Sequence, residues 1–295
     1  MERVETHGLT KDYGSSHGIF DLDLTIHEGE IFGLVGPNGA GKTTTIRLLM
    51  NLIRATRGSA TVLGMDAVRD SVKIKQETGF MPAEAPDYPN QTGAQIIGLL
   101  ANVRGSVIDS RITELASQFD LDLSRKYHEY SHGNRQKLWL LQSVMHNPKL
   151  VFLDEPTSGL DPVIQQRFRE LMRTMRERGT TIVLSSHVLP EVQELCDRVG
   201  VVHGGKLRQV GTMDELRIGR SHRVAIQCGE TVDRSTLEHI PGLSDLYVED
   251  HRITCTIAGA MTPLLDAVRP ATILTIDSAE MSLEEIFLTE FGNSK

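Results

Sequence analysis

The chain has 295 residues, a formal net charge of -8 and 39% hydrophobic residues, a length that suits one large domain plus a small one with ample room for a buried core. The acidic balance argues against a broad nucleic-acid face, since phosphate backbones are bound by clustered Lys and Arg. The opening MERVETHG is polar and shows no export signal, and apolar runs such as Leu138 to Leu141 and Leu150 to Leu153 fall far short of the roughly 20 residues that cross a bilayer, so any membrane role is expected to be borrowed from a partner.

Alternating apolar positions around Val4 to Leu9 and Ile19 to Ile26, separated by Asp12, Gly14, Ser15 and Ser16, predict an antiparallel strand pair. A fully apolar strand follows at Ile31 to Val35, and then GPNGAGKT, Gly36 to Thr43, the pattern that a nucleoside triphosphate's phosphate chain requires. Gly36, Gly39 and Gly41 can take positive φ without a Cβ clash, which turns successive N–H groups inward as a nest for an anion. Pro37, Asn38 and Ala40 complete the loop. Lys42 adds a compact positive charge, the Thr43 hydroxyl is the usual Mg2+ ligand of this pattern, and Thr44 continues the first turn of a helix whose positive end points at the phosphates.

Gln91 to Gln118 and Ser131 to His146 have helical spacing and no strand signal, which predicts an inserted helical lobe over about 83–148. The apolar strand Leu150 to Leu153 runs into Asp154 and Glu155, at the edge where a parallel α/β sheet binds ligands. There Asp154 is placed to hold Mg2+, and Glu155, projecting differently, to polarise the water that attacks the γ-phosphate. Asp161-Pro162 is a sound helix start. A third apolar strand, Thr181 to Leu184, precedes His187. The recurrence of buried strands followed by helical periodicity reads as an α/β fold with a mostly parallel sheet.

After Gly211 the texture changes. Strand-like runs at His222 to Cys228 and Arg252 to Ile257, with helical stretches around Met261 to Val268 and Ser282 to Glu290, predict a small α+β domain over 218–295, beginning near Ile218, behind a first domain of 1–217. The three cysteines, Cys196, Cys228 and Cys255, are odd in number and lack CxxC spacing, so they read as reduced, inert thiols of a cytosolic protein. Cys228 and Cys255 could face each other on neighbouring strands, with small apolar packing residues as the plainer reading.

A phosphate loop alone fits kinases, GTPases, helicases and transport ATPases. Together with LVFLDEPTSGLD (Leu150 to Asp161), YSHGNRQ (Tyr130 to Gln136) and SSH (Ser185 to His187), the chain resembles the ATP-binding subunit of an ABC transporter over roughly residues 2–215. The resemblance implies a P-loop fold of ABC type with an antiparallel β subdomain and the helical insert, ATP and Mg2+ as ligands, and two ATP molecules sandwiched in a homodimer. Ser131 and Gly133 then belong to the signature that meets the partner's phosphate loop. Ser131 also suits the N-cap of its helix, while His132, Asn134 and Arg135 depart from the family's wording.

The resemblance further makes His187 the switch histidine, makes Ser158 to Asp161 the loop joining the two sites, and places Tyr13 where relatives stack a ring on adenine; a hairpin-turn tyrosine is the alternative. Many relatives carry a glutamine where Ala83 stands here, and Glu84 is the nearest substitute, expected to face the nucleotide or the partner, with a plain solvated glutamate as the alternative. The terminal LEEIFLTEFG, Leu283 to Gly292, resembles the accessory domain of drug and antibiotic exporters with ABC-2-type permeases, and also fits an amphipathic helix docking on its own sheet. These features imply an export motor bound peripherally at the cytoplasmic face of the membrane. The second reading, a soluble ABC protein acting on ribosomes or DNA, usually has two nucleotide-binding halves or a long coiled coil, and this chain has neither. A regulator without turnover is opposed by the full set Lys42, Asp154, Glu155 and His187.

Overall fold

A computed structural model describes residues 2–15, 17–105, 109–216 and 221–280, and packing divides the chain into two units, Met1–Thr212 and Met213–Lys295. In the first, β1 (Glu2–Asp12) and β2 (Gly18–His27) form the antiparallel pair that their alternating burial predicts. They are followed by β3 (Ile31–Val35), α1 (Lys42–Leu49), β4 (Arg57–Val62) and the short β5 (Met65–Asp66). Of these strands, all but β3 make an antiparallel sheet of order β2-β1-β4-β5. β4 and β5 carry little sequence signal, because RGSATV has only two apolar positions of any size and pairs on one side with β1.

The chain then runs through α2 (Ser71–Glu77), β6 (Thr78–Met81), α3 (Gly93–Arg104), α4 (Asp109–Gln118), α5 (His132–Val144), β7 (Leu150–Asp154), α6 (Pro162–Glu177), β8 (Thr181–Ser186), α7 (Leu189–Leu195), β9 (Arg198–His203) and β10 (Lys206–Gly211). The second sheet has the order β10-β9-β3-β8-β7-β6. All its neighbours are parallel except β9 and β10. β3, β7 and β8 are buried along their whole length, which is why Ile31 to Val35, Leu150 to Leu153 and Ile182 to Leu184 read as apolar runs. Because the three run parallel, their carboxyl ends share one edge, and Gly36, Glu155 and His187 follow those ends directly.

One core of side chains from both sheets and α1, including Ile26, Phe32, Ile46, Leu49, Val62 and Phe152, fills the space between them. The predicted helical stretch 91–118 holds two helices. α3 opens with a full capping box, Thr92 with Gln95, and closes on the left-handed Gly105. The second half of α5, Gln136 to Val144, is buried. It lies so close to β6 that a Cβ at Gly79 would overlap the Ser143 carbonyl, and Gln142 donates to the Phe80 carbonyl at 2.5 Å. This helix therefore roofs the sheet as well as belonging to the lobe.

The second unit contains β11 (Ser221–Cys228), α8 (Arg234–Leu237), β12 (Leu243–Glu249), β13 (Arg252–Ala258), α9 (Thr262–Val268) and β14 (Ile273–Glu280). Its sheet is antiparallel with order β12-β13-β11-β14, which is the split β-α-β arrangement of ferredoxin-like domains. Val224, Ile226, Ile253 and Ile257 pack with Leu237, Leu264 and Val268 of the two helices. Cys255 stands opposite Val224 and not opposite Cys228. The two thiols share the core but not a register position, and the three cysteines are free. Burial pushes all three thiols up, away from reactivity. Ile218 and the predicted terminal helix, Ser282 to Glu290 with LEEIFLTEFG, lie outside the described residues. No helix among the described residues is long and apolar enough to cross a membrane.

Candidate functional site

The loop between β3 and α1 curls as its glycines dictate, but not all for one reason. Gly39 and Gly41 have φ of 78° and 112°, left-handed backbone that other residues adopt only at a cost. Gly36 does not take positive φ; it is needed because a Cβ there would run into the Val202 carbonyl of β9. Gly41 is also pressed against Ile19 at the start of β2, and the Ala40 carbonyl accepts from Gly205 N–H at 3.1 Å. The loop is therefore clamped by elements from both sheets.

A cavity of about 290 Å³ opens over this loop, lined by Asn38, Gly39, Ala40, Gly41, Lys42, Thr43, Thr44, Ala83 and Glu155. Lys42 is buried, and its ammonium donates to the carbonyls of Gly36 at 2.7 Å and Pro37 at 3.3 Å. It also lies 3.2 Å from Glu155 Oε1 as an ion pair, so the buried charge is surrounded by two carbonyls and a carboxylate.

Across the edge, Asp154 ends β7 and is 2% exposed. Its Oδ1 accepts from Thr43 Oγ1 at 3.1 Å and from Ser185 Oγ at 2.6 Å. Two oxygens that could ligate a hard cation thus lie together beside the loop, and such a cation would take its remaining ligands from water and phosphate. Glu155, next in the chain, has φ of 50°, a left-handed conformation that turns its carboxylate away from that of Asp154 and toward the cavity. Its other oxygen, Oε2, accepts from His187 Nδ1 at 2.8 Å. One carboxylate thereby spans a lysine and a histidine that come from different strand ends.

The remaining predicted residues are placed elsewhere. Ser131 caps α5, accepting from Asn134 N–H at 3.3 Å, and its exposed end does not line the cavity. Gly133 packs against the loop after Glu155, where a Cβ would stand 2.8 Å from the Gly159 carbonyl. The His132 ring covers the face of Gly159, whose φ of 75° also requires glycine. Asp161 caps α6, accepting from Val163 and Ile164 N–H at 3.0 Å each, with Pro162 in the first turn. Tyr13 is exposed in the β1–β2 turn, with Lys11 Nζ 5.2 Å from its ring centre. Glu84 does not line the glycine-loop cavity; Ala83 does. Ala83 borders both cavities, and Glu84 lines only the adjoining one, with Ala85, Tyr127, His132, Arg135 and Gln136.

Three polar residues that sequence reasoning missed complete the arrangement. Ser185 is fully buried and accepts from Glu155 N–H at 3.0 Å while donating to Asp154. Ser186 and Glu191 bond to each other and to neighbours of His187. The available signal was a pair of small hydroxyls ending an otherwise apolar strand, TIVLSS.

The profile of the family described as "ABC transporter" matches residues 19–158. The chain is 38% identical over 219 residues to the "Probable multidrug ABC transporter ATP-binding protein YbhF" of Escherichia coli (strain K12), covering 72% of this chain and only 38% of that relative's length. It is 35% identical over 217 residues to the "Bacitracin transport ATP-binding protein BcrA" of Bacillus licheniformis, covering 72% of this chain and 71% of BcrA. Among solved structures, the "Structure of ATP binding subunit of ABC transporter" superposes with a TM-score of 0.67 at 27% identity, over 72% of this chain and 91% of that one.

Proposed function

The chain belongs to the ABC transporter family, and from that premise we propose that it is the ATP-binding, ATP-hydrolysing subunit of an exporter, energising a separate membrane permease. The observation that carries the reading is the Glu155 carboxylate at the wall of the glycine-loop cavity, 3.2 Å from Lys42 and 2.8 Å from His187. The nest from Gly36 to Thr44 and the Lys42 ammonium hold the β- and γ-phosphates. Thr43 and Asp154 would hold Mg2+, which supplies charge neutralisation on the phosphate oxygens. Glu155 takes the proton of the attacking water as its oxygen bonds to the γ-phosphorus and the bond to the β–γ bridging oxygen breaks. His187, donating through Nδ1 to Glu155, presents Nε2 as an acceptor that orients the same water.

Two copies pair as a homodimer, so that Ser131 and Gly133 of one close on the triphosphate held by the other, with the helix N-terminus behind them favouring the anion. Asp161 and its loop carry contact between the two sites, and Tyr13 stacks on the adenine. Closure of the dimer draws the helical lobes together and moves an ABC-2-type permease at the cytoplasmic face of the membrane. The second unit acts as an accessory domain supporting dimerisation or regulation.

The deciding experiment is Glu155→Gln in the purified chain. The variant is expected to keep ATP binding, lose hydrolysis by roughly 10²- to 10⁴-fold and accumulate an ATP-dependent dimer in size-exclusion chromatography. Normal turnover by that variant would remove Glu155 from its role.

A further inference from the structure

We propose that Glu191, in the first turn of α7, is a positioning residue that fixes His187 and the loop after Glu155 relative to each other. The inference rests on the hydrolytic reading above. Glu191 Oε2 accepts from Thr157 Oγ1 at 2.7 Å and from Ser186 Oγ at 3.3 Å. The Ser186 oxygen in turn accepts from Val188 N–H at 3.0 Å. The residues on both flanks of His187 are thus tied to one carboxylate, and so is Thr157, two residues after Glu155.

The chemistry suits a fixed strut. Thr157 and Ser186 are largely shielded from water, and hydrogen bonds to an ionised acceptor are shorter and stronger than neutral ones. Thr157 is also where the loop folds: its carbonyl accepts from Leu160 N–H at 3.1 Å, and the Glu155 carbonyl from Ser158 N–H at 3.3 Å. Fixing Thr157 therefore fixes two successive turns that begin at the reacting carboxylate. Glu191 touches neither the phosphate cavity nor His187 itself. Its contribution falls on the alignment of the His187–Glu155 pair, which acts on the chemical step, and not on the nest that holds the nucleotide.

The test is steady-state ATP hydrolysis by the full-length chain, with ATP titrated, for Glu191→Ala, Glu191→Gln, Thr157→Val and the double variant Glu191→Ala/Thr157→Val, and with Glu155→Gln run alongside. Glu191→Ala is expected to lower kcat about 10- to 100-fold, the loss that goes with a small misplacement of reacting groups, while KM for ATP stays within about twofold. Thr157→Val should move kcat in the same direction. The double variant should be no worse than Glu191→Ala alone, because both remove one strut. Glu191→Gln keeps an acceptor oxygen and should recover part of the rate. An unchanged kcat in Glu191→Ala overturns the inference. So do additive losses in the double variant, or kcat and KM worsening together in step with a lowered melting temperature. Should Glu191→Ala not fold, Thr157→Val and Glu191→Gln decide by the same kcat-against-KM split. If Glu155→Gln hydrolyses ATP normally, the hydrolytic reading itself fails; if it is inactive while Glu191→Ala is normal, only the positioning role fails.

Discussion

Ser185 donates its hydroxyl proton to Asp154 at 2.6 Å across the β7–β8 pair. The same oxygen receives Glu155 N–H at 3.0 Å, so a single buried hydroxyl sets the carboxylate of one residue and the strained left-handed peptide of the next. A backbone held in that region persists only where its surroundings determine it, and the Ser185 hydroxyl is one part of those surroundings.

Ser185→Ala leaves a buried carboxylate oxygen short of a donor and the Glu155 N–H without an acceptor. The expected cost is about 1–3 kcal/mol of stability, read by urea denaturation, together with slower ATP hydrolysis as Glu155 relaxes. Ser185→Thr retains the hydroxyl and should lose less of both. A Ser185→Ala protein with unchanged denaturation and turnover would show that Asp154 and Glu155 are held by other means.

Lys42→Ala removes the cation that Gly36, Pro37 and Glu155 surround. Nucleotide affinity is expected to fall by about 10-fold or more, in line with the loss of a charge-assisted hydrogen bond, measured with a fluorescent ATP analogue. Equal affinity in variant and parent would contradict the phosphate cradle.

Gly133 and Gly159 should respond differently to alanine. At Gly159 the obstacle is the His132 ring, which can swing aside, plus a φ of 75°, so Gly159→Ala should cost about 1–2 kcal/mol, and adding His132→Gly should recover only the steric share. At Gly133 the obstacle is the Gly159 carbonyl, 2.8 Å from the added Cβ. A main-chain oxygen cannot move aside as a ring can, and His132→Gly should bring no rescue there. Thermal melts of the four variants separate the two cases.

His146 provides a dependence on pH that is independent of catalysis. Burial, then the neighbouring Arg104 guanidinium, lowers its pKa from 6.5 to about 4, against weaker opposing effects of the Thr78 carbonyl and Glu77. The Arg104 guanidinium stands 2.7 Å from its Nε2. The folded state therefore prefers the neutral ring, and the unfolded state binds more protons between those two values. Stability should be complete above about pH 6.5 and decline as pH falls toward 4. His146→Gln should flatten this part of the stability-against-pH curve in denaturant titrations. An identical slope in variant and parent would mean that other groups set it.

Much of the fold was legible in the residues. The buried strands read as apolar runs at Ile31 to Val35, Leu150 to Leu153 and Thr181 to Leu184, because both their faces are covered. The strands that escaped notice are short, edge-placed or broken by glycine: β6 is only TGFM, and β9 is interrupted by Gly200, which is pressed against the Phe32 ring. The offset between Cys228 and Cys255 was illegible for a related reason, since register depends on turn lengths and pairing partners that no single strand encodes. Ala83, and not Glu84, lines the glycine-loop cavity, and position along the chain does not tell which of two adjacent residues borders the loop.

The amino-acid sequence alone determined whatever consecutive residues build by themselves: the glycine-rich loop between β3 and α1, the helix start at Lys42, and the acidic pair closing an apolar strand. Tertiary structure decided which groups from distant segments meet. Ser185 reaches Asp154 across 31 positions and Glu191 reaches Thr157 across 34, while Gly36 owes its lack of a side chain to Val202. These meetings follow from a strand order, β10-β9-β3-β8-β7-β6, that does not follow the chain. The contacts it creates leave no local periodicity to read, because side chains on parallel strands meet only after the connecting helices have brought the strands side by side.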